Sequence, residues 1–121
     1  MKEQFKLGTE NLEFEMTNKT YMNLDDMYGN AGAIVNSIYF GTLVYKNKED
    51  KPESFGKDGF VNNSIKLMSE SCVSRSLSVE ELEDKLSSTQ MVQKVGPFAT
   101  KLYLNYMGVK KGTTTSKTKK K

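Results

Sequence analysis

A chain of 121 residues with 36% hydrophobic side chains has the length for one modest core and no more. No apolar run approaches the roughly 18 residues of a membrane helix, and the opening Met1-Lys2-Glu3-Gln4-Phe5 lacks the apolar centre of a secretory signal. The absence of His removes the commonest general base, the commonest metal ligand and every Ser-His or Cys-His nucleophile. A single Cys72 forms no internal disulfide, which fits a reducing cytoplasm.

The formal net charge of +3 is unevenly spread. Lys110, Lys111, Lys117, Lys119, Lys120 and Lys121 all fall in the last twelve residues, so the preceding 109 carry 12 basic and 15 acidic groups, net −3. A nucleic-acid-binding domain would hold its cations on the folded face. We read residues 1–109 as a single compact domain and 110–121, which hold no apolar residue, as a disordered Lys-rich tail.

Taken in order, Gln4 to Leu7 and Leu12 to Met16 alternate apolar and polar residues and are expected as two strands joined by a turn at Gly8-Thr9-Glu10-Asn11. Thr17 or Asn18 is placed to cap a helix running to Tyr28, with Tyr21, Leu24 and Tyr28 on one side. Gly29-Asn30 ends it, and Asn30 caps a second helix from Ala31 to about Val44, with Ile34, Val35, Ile38, Thr42 and Leu43 inward. Gly41 weakens its interior. The polar stretch 46–58 is expected as an exposed loop.

A third helix is expected from about Gly59 to Ser74, with Val61, Ile65, Met68 and Cys72 as its core stripe. The best-specified local structure follows. Ser78 caps a helix, Glu81 is placed to reach back in a capping box, and Leu77 and Leu82 can form a hydrophobic staple. Thr89 to Val95 is a further helical segment. Gly96-Pro97 punctuates, and Pro97 suits the first position of a last helix that Gly108 closes. The expected class is α+β, mainly α: an N-terminal β-hairpin followed by about five helices.

Motifs for chemistry are weak. Asp25-Asp26, Glu49-Asp50 and Glu80-Glu81-Glu83-Asp84 read as solvated acids near helix starts. Gly29-Asn30-Ala31-Gly32 has the spacing of a GxxG nucleotide-binding loop, but Asn30 and Ala31 are not basic. No catalytic, metal or cofactor residue is expected, and the chain is read as a non-enzyme. Phe98, Leu102, Tyr103, Tyr106 and Met107 put more apolar surface on the last helix than a small domain usually buries. They are candidates for a partner-binding surface, with plain core as the competing reading.

Four features in order carry a family resemblance. They are the Phe-Lys-Leu and Leu-Glu-Phe-Glu hairpin, then Asn-Lys-Thr-Tyr-Met-Asn-Leu-Asp-Asp-Met-Tyr-Gly before a small-residue helix, then the Leu-Ser-Val-Glu-Glu-Leu-Glu-Asp-Lys-Leu helix, and last an amphipathic helix leading into a Lys-rich end. Over residues 4–111 this layout resembles the small tail assembly chaperones of long-tailed phages (siphophages) and prophages of Gram-positive bacteria. The resemblance implies a helical, non-enzymatic protein of the host cytoplasm, absent from the mature virion. It implies binding to the tape measure protein to keep it soluble until tail tube polymerisation, and self-association into homo-oligomers. It also implies a longer, frameshifted form recruiting the tail tube protein. The 46–58 loop is longer than that pattern. Neither a membrane nor nucleic acid is an expected partner. The alternatives are a small nucleic-acid-binding or host-takeover phage protein and a minor structural component such as a head–tail connector.

Overall fold

The computed structural model describes residues 2–47 and 60–108, with side chains over 2–39 and 61–108. The architecture is α+β and mainly helical: an antiparallel hairpin followed by five helices among the described residues. The expected tail at 110–121 and most of the expected 46–58 loop lie outside the described residues.

Strands β1 (Glu3–Leu7) and β2 (Glu10–Phe14) pair with Phe5 opposite Leu12 and Leu7 opposite Glu10. The connection is two residues long, shorter than the four expected. Gly8 takes φ 65° in it, the positive value that two-residue hairpins require. The register puts Phe5, Leu7, Leu12 and Phe14 on one face, and all four are buried. Met16 is buried beyond the strand end.

Helix α1 (Asn18–Tyr28) starts at a reciprocal cap: Thr17 Oγ1 accepts from Thr20 N, and Thr17 N donates to Thr20 Oγ1. It ends at Gly29, left-handed at φ 89°. Helix α2 (Ala31–Asn47) follows, with Asn30 Oδ1 accepting from Ala33 N at 3.0 Å. The helix passes through Gly41 and ends three residues beyond the expected Val44. Asp25 Oδ1 also accepts from Ala31 N at 3.0 Å. The amides of Gly29, Ala31 and Ala33 are thus bound within the chain, to Asp25 O, Asp25 Oδ1 and Asn30 Oδ1, and the turn serves as a helix–helix junction.

Helix α3 (Phe60–Ser71) is the hub, packing against α1, α2, α5 (Val95–Tyr106) and the short α4 (Val79–Lys85). Its interior side is Ile65, Leu67 and Met68, with small Ser64 and Ser71 wholly buried. Ser71 Oγ donates to Leu67 O at 2.7 Å, so its hydroxyl is satisfied within the helix. The expected end at Ser74 is corrected. Cys72 leaves the helix to form a bridge with Phe14, and Glu15 N and Val73 N donate to Ser71 O and Glu13 O, both at 2.8 Å. Strand pairing takes over backbone groups that another helical turn would have used. Cys72 is half-buried at the edge of the core.

Ser78 caps α4 through Glu81 N at 3.0 Å, and Leu77 and Leu82 are both buried. The reciprocal half of that capping box is replaced. The Glu81 carboxylate takes Arg75 (3.0 and 2.6 Å) and Lys85 (2.8 Å) instead, since a charged donor binds a carboxylate more strongly than a backbone amide does.

The Gly96-Pro97 punctuation is also corrected. Ser88 and Thr89 begin a helical run that passes through a π-helical stretch (Gln90–Lys94) into α5 without a break. Pro97 therefore sits inside this continuous run with no N–H to donate, directly after the wider π-helical turn in which Val95 N donates to Gln90 O. The run begins with a second reciprocal cap: Gln90 N donates to Ser87 Oγ at 3.2 Å and Ser87 N to Gln90 Oε1 at 3.1 Å. Gly108 closes α5 at φ 83°, its N–H on Asn105 O.

A candidate protein-binding surface

Helix α5 divides its apolar residues between two environments. Phe98 and Leu102 face inward, 8% and 1% exposed. The Phe98 ring lies 4.9 Å from that of Phe5 and 5.3 Å from that of Phe14, the second pair edge-to-face, a geometry favoured by the ring quadrupoles. These two residues are withdrawn from the expected partner-binding set: buried side chains that close the core onto the hairpin are not available to a partner.

Tyr103 and Tyr106 are half-buried, and Met107 is 57% exposed. Tyr106 stacks on Tyr21 at 6.3 Å and donates from its hydroxyl to Asn18 Oδ1. One residue earlier, Asn105 Nδ2 donates to Glu3 Oε2 at 2.9 Å, and Lys101 Nζ, a turn before that, reaches the same carboxylate at 3.4 Å. The end of α5 is thereby held to the start of α1 and to β1. Asn18, Tyr21 and Met22 stand at i, i+3 and i+4, one flank of α1, and Met22 is 66% exposed. Two exposed methionines, Met22 and Met107, are thus next in sequence to the Tyr21 and Tyr106 rings that stack where α1 meets α5. Met22 escaped the sequence reading, and Tyr21 was read only as the inner side of α1, because no local spacing pairs Tyr21 with Tyr106.

The strongest electrostatic cluster is a tie between elements. Arg75 Nη2 binds Glu10 on β2 at 2.8 Å and Glu81 on α4 at 2.6 Å. Hydrogen bonds from Arg75, then from Lys85, hold the Glu81 carboxyl down at about 2. The Arg75 hydrogen bond likewise lowers Glu10, and the Arg75 guanidinium is pushed up by its two carboxylate partners. All of these groups are satisfied by one another, an arrangement suited to fastening the 72–78 connection. Among the described residues no group of three or more His, Cys, Asp or Glu is placed to hold a metal ion, and no helix is long and apolar enough to cross a membrane.

This is an α+β, mainly helical fold whose surface includes the exposed apolar side chains of Met22, Met27, Val92 and Met107. Comparison with protein-family models, curated proteins and solved structures returned no match to the chain.

Proposed function

We propose that the chain is a tail assembly chaperone of a long-tailed phage or prophage, which binds the tape measure protein and keeps it soluble until the tail tube polymerises. The observation that carries this reading is the order of segments along the sequence: Phe5–Leu7 and Leu12–Phe14 strands, the Asn18–Tyr28 and small-residue helices, the Ser78-capped helix and the Val95–Tyr106 helix leading to a Lys-rich end. The exposed Met22 and Met107 beside the half-buried Tyr106 support it. Flexible thioether side chains suit an adaptable grip on a helical client, and each Å2 of apolar surface covered contributes about 25 cal/mol. In this reading the protein acts in the host cytoplasm, self-associates along the client and is displaced before the virion matures, while a longer frameshifted form would bring in the tail tube protein.

Co-expression with a tape measure protein of a long-tailed phage tests the proposal. The client is expected to move from the insoluble to the soluble fraction, and Met22→Lys with Met107→Lys to abolish that gain while the circular dichroism spectrum is unchanged. A client equally insoluble with and without the parent chain would sink the proposal.

A further inference from the structure

On the side of the molecule formed by the C-terminal end of α1, the end of α3 and the start of α4, a groove of about 380 Å3 opens to solvent. That volume is within the ~300–1,000 Å3 typical of binding clefts. Its apolar part is Met27, 57% exposed, with Tyr28, Leu77 and half-buried Val79. Its walls are fixed: Ser69 Oγ donates to Leu77 O at 2.6 Å, Ser78 Oγ holds Glu81 N, and Lys66 Nζ sits 4.5 Å from the centre of the Tyr28 ring. Two carboxylates, Glu70 and Glu80, line the same groove. Neither has an ion-pair partner among the described residues, whereas Glu3, Glu10 and Glu81 are all paired. Burial, then Glu70 and Glu80, raise the Tyr28 phenol above its ordinary value. Within a body of net charge −3 over residues 1–109, an apolar floor beside two unpaired carboxylates selects an occupant that is apolar and cationic together.

We propose that this groove docks a helical protein segment presenting a Leu or Met side chain to Met27 and Val79, with a Lys or Arg one turn away to meet Glu70 and Glu80. The site lies at the opposite end of α1 from the Met22–Met107 seam and does not depend on the chaperone reading. The test is fluorescence anisotropy of the full chain with a labelled Ala/Leu/Lys helical peptide carrying Leu and Lys one turn apart, and with a Leu/Glu counterpart as control. Binding is expected for the Lys peptide alone. Glu70→Gln with Glu80→Gln is expected to weaken it about three- to tenfold, the yield of two solvent-facing ion pairs, and Met27→Asp to abolish it, with the circular dichroism spectra of both variants unchanged. Equal binding of the two peptides, or of parent and variants, would overturn the assignment. Tighter peptide binding after deletion of residues 110–121 would overturn it in favour of the chain's own Lys-rich end. Self-association lost in Glu70→Gln with Glu80→Gln would overturn it in favour of a second copy.

Discussion

Replacing Phe98 by Ala separates core from binding surface on helix α5. The ring is 8% exposed and packs on both Phe5 and Phe14. Truncating a buried Phe costs about 3–5 kcal/mol, and two aromatic partners put this site towards the upper end, since each such pair is worth about 0.5–1.5 kcal/mol beyond its area. Against a total stability of about 5–15 kcal/mol for a small domain, the change removes about a fifth or more. At about 4–8 °C per kcal/mol the melting temperature should drop by at least about 12 °C. Urea denaturation followed by circular dichroism gives the free energy directly, with Met107→Ala as the control expected within about 0.5 kcal/mol of the parent, as for an exposed side chain. A Phe98→Ala midpoint corresponding to less than about 1 kcal/mol of loss would refute the packing described for this ring.

Ser37 is 6% exposed on α2, and its Oγ has no hydrogen-bond partner among the described residues. An unsatisfied buried hydroxyl costs about 1–3 kcal/mol, so Ser37→Ala should raise stability by about 1 kcal/mol in the same denaturation experiment; a loss would mean the hydroxyl is bonded. Acid should weaken the tie between hairpin and α4. Glu81 is held at about 2, below its ordinary 4.5, and a depressed carboxyl contributes stability that is fully present above the unfolded value and is lost as pH falls from about 4.5 towards 2. Urea midpoints measured across that interval should fall, and fall less in Glu81→Gln; identical pH profiles for the two proteins would contradict the Arg75–Glu81 pairing.

What the sequence made legible was set by neighbours a few residues apart. The alternation of Phe5, Leu7, Leu12 and Phe14 specified the hairpin and its buried face, because strand geometry turns every second side chain the same way. Thr17, Asn30, Ser78 and Gly108 marked helix ends through bonds reaching only three residues or so. The Ser87-Ser88-Thr89-Gln90 cap carries the same kind of signal and was within reach of the same reasoning. What failed depended on distant partners. Cys72 fits a helical stripe, but its backbone pairs with Phe14. Glu81 fits a capping box, but Arg75 arrives from outside the helix. Leu67 lies off the predicted stripe, and is buried because α3 has helices on several sides. On α5, Phe98 and Met107 are equally apolar in sequence, and only the position of the hairpin decides which one meets water.

The bridge that carries residues 72–74 alongside β2 has a consequence for the timing of synthesis. Glu13 N donates to Ser74 Oγ at 2.8 Å across 61 residues of chain, and Val73 N returns a bond to Glu13 O. A lone two-stranded hairpin is marginal in water. The hairpin therefore has its backbone partner at residues 72–74 supplied by chain that is translated roughly 3–12 s later, at about 5–20 residues per second. During that interval the faces of Phe5, Leu7, Leu12 and Phe14 have no interior to enter. The hairpin is made before the residues that secure it, and its protection in the nascent chain depends on whatever shelters apolar strands at the tunnel exit.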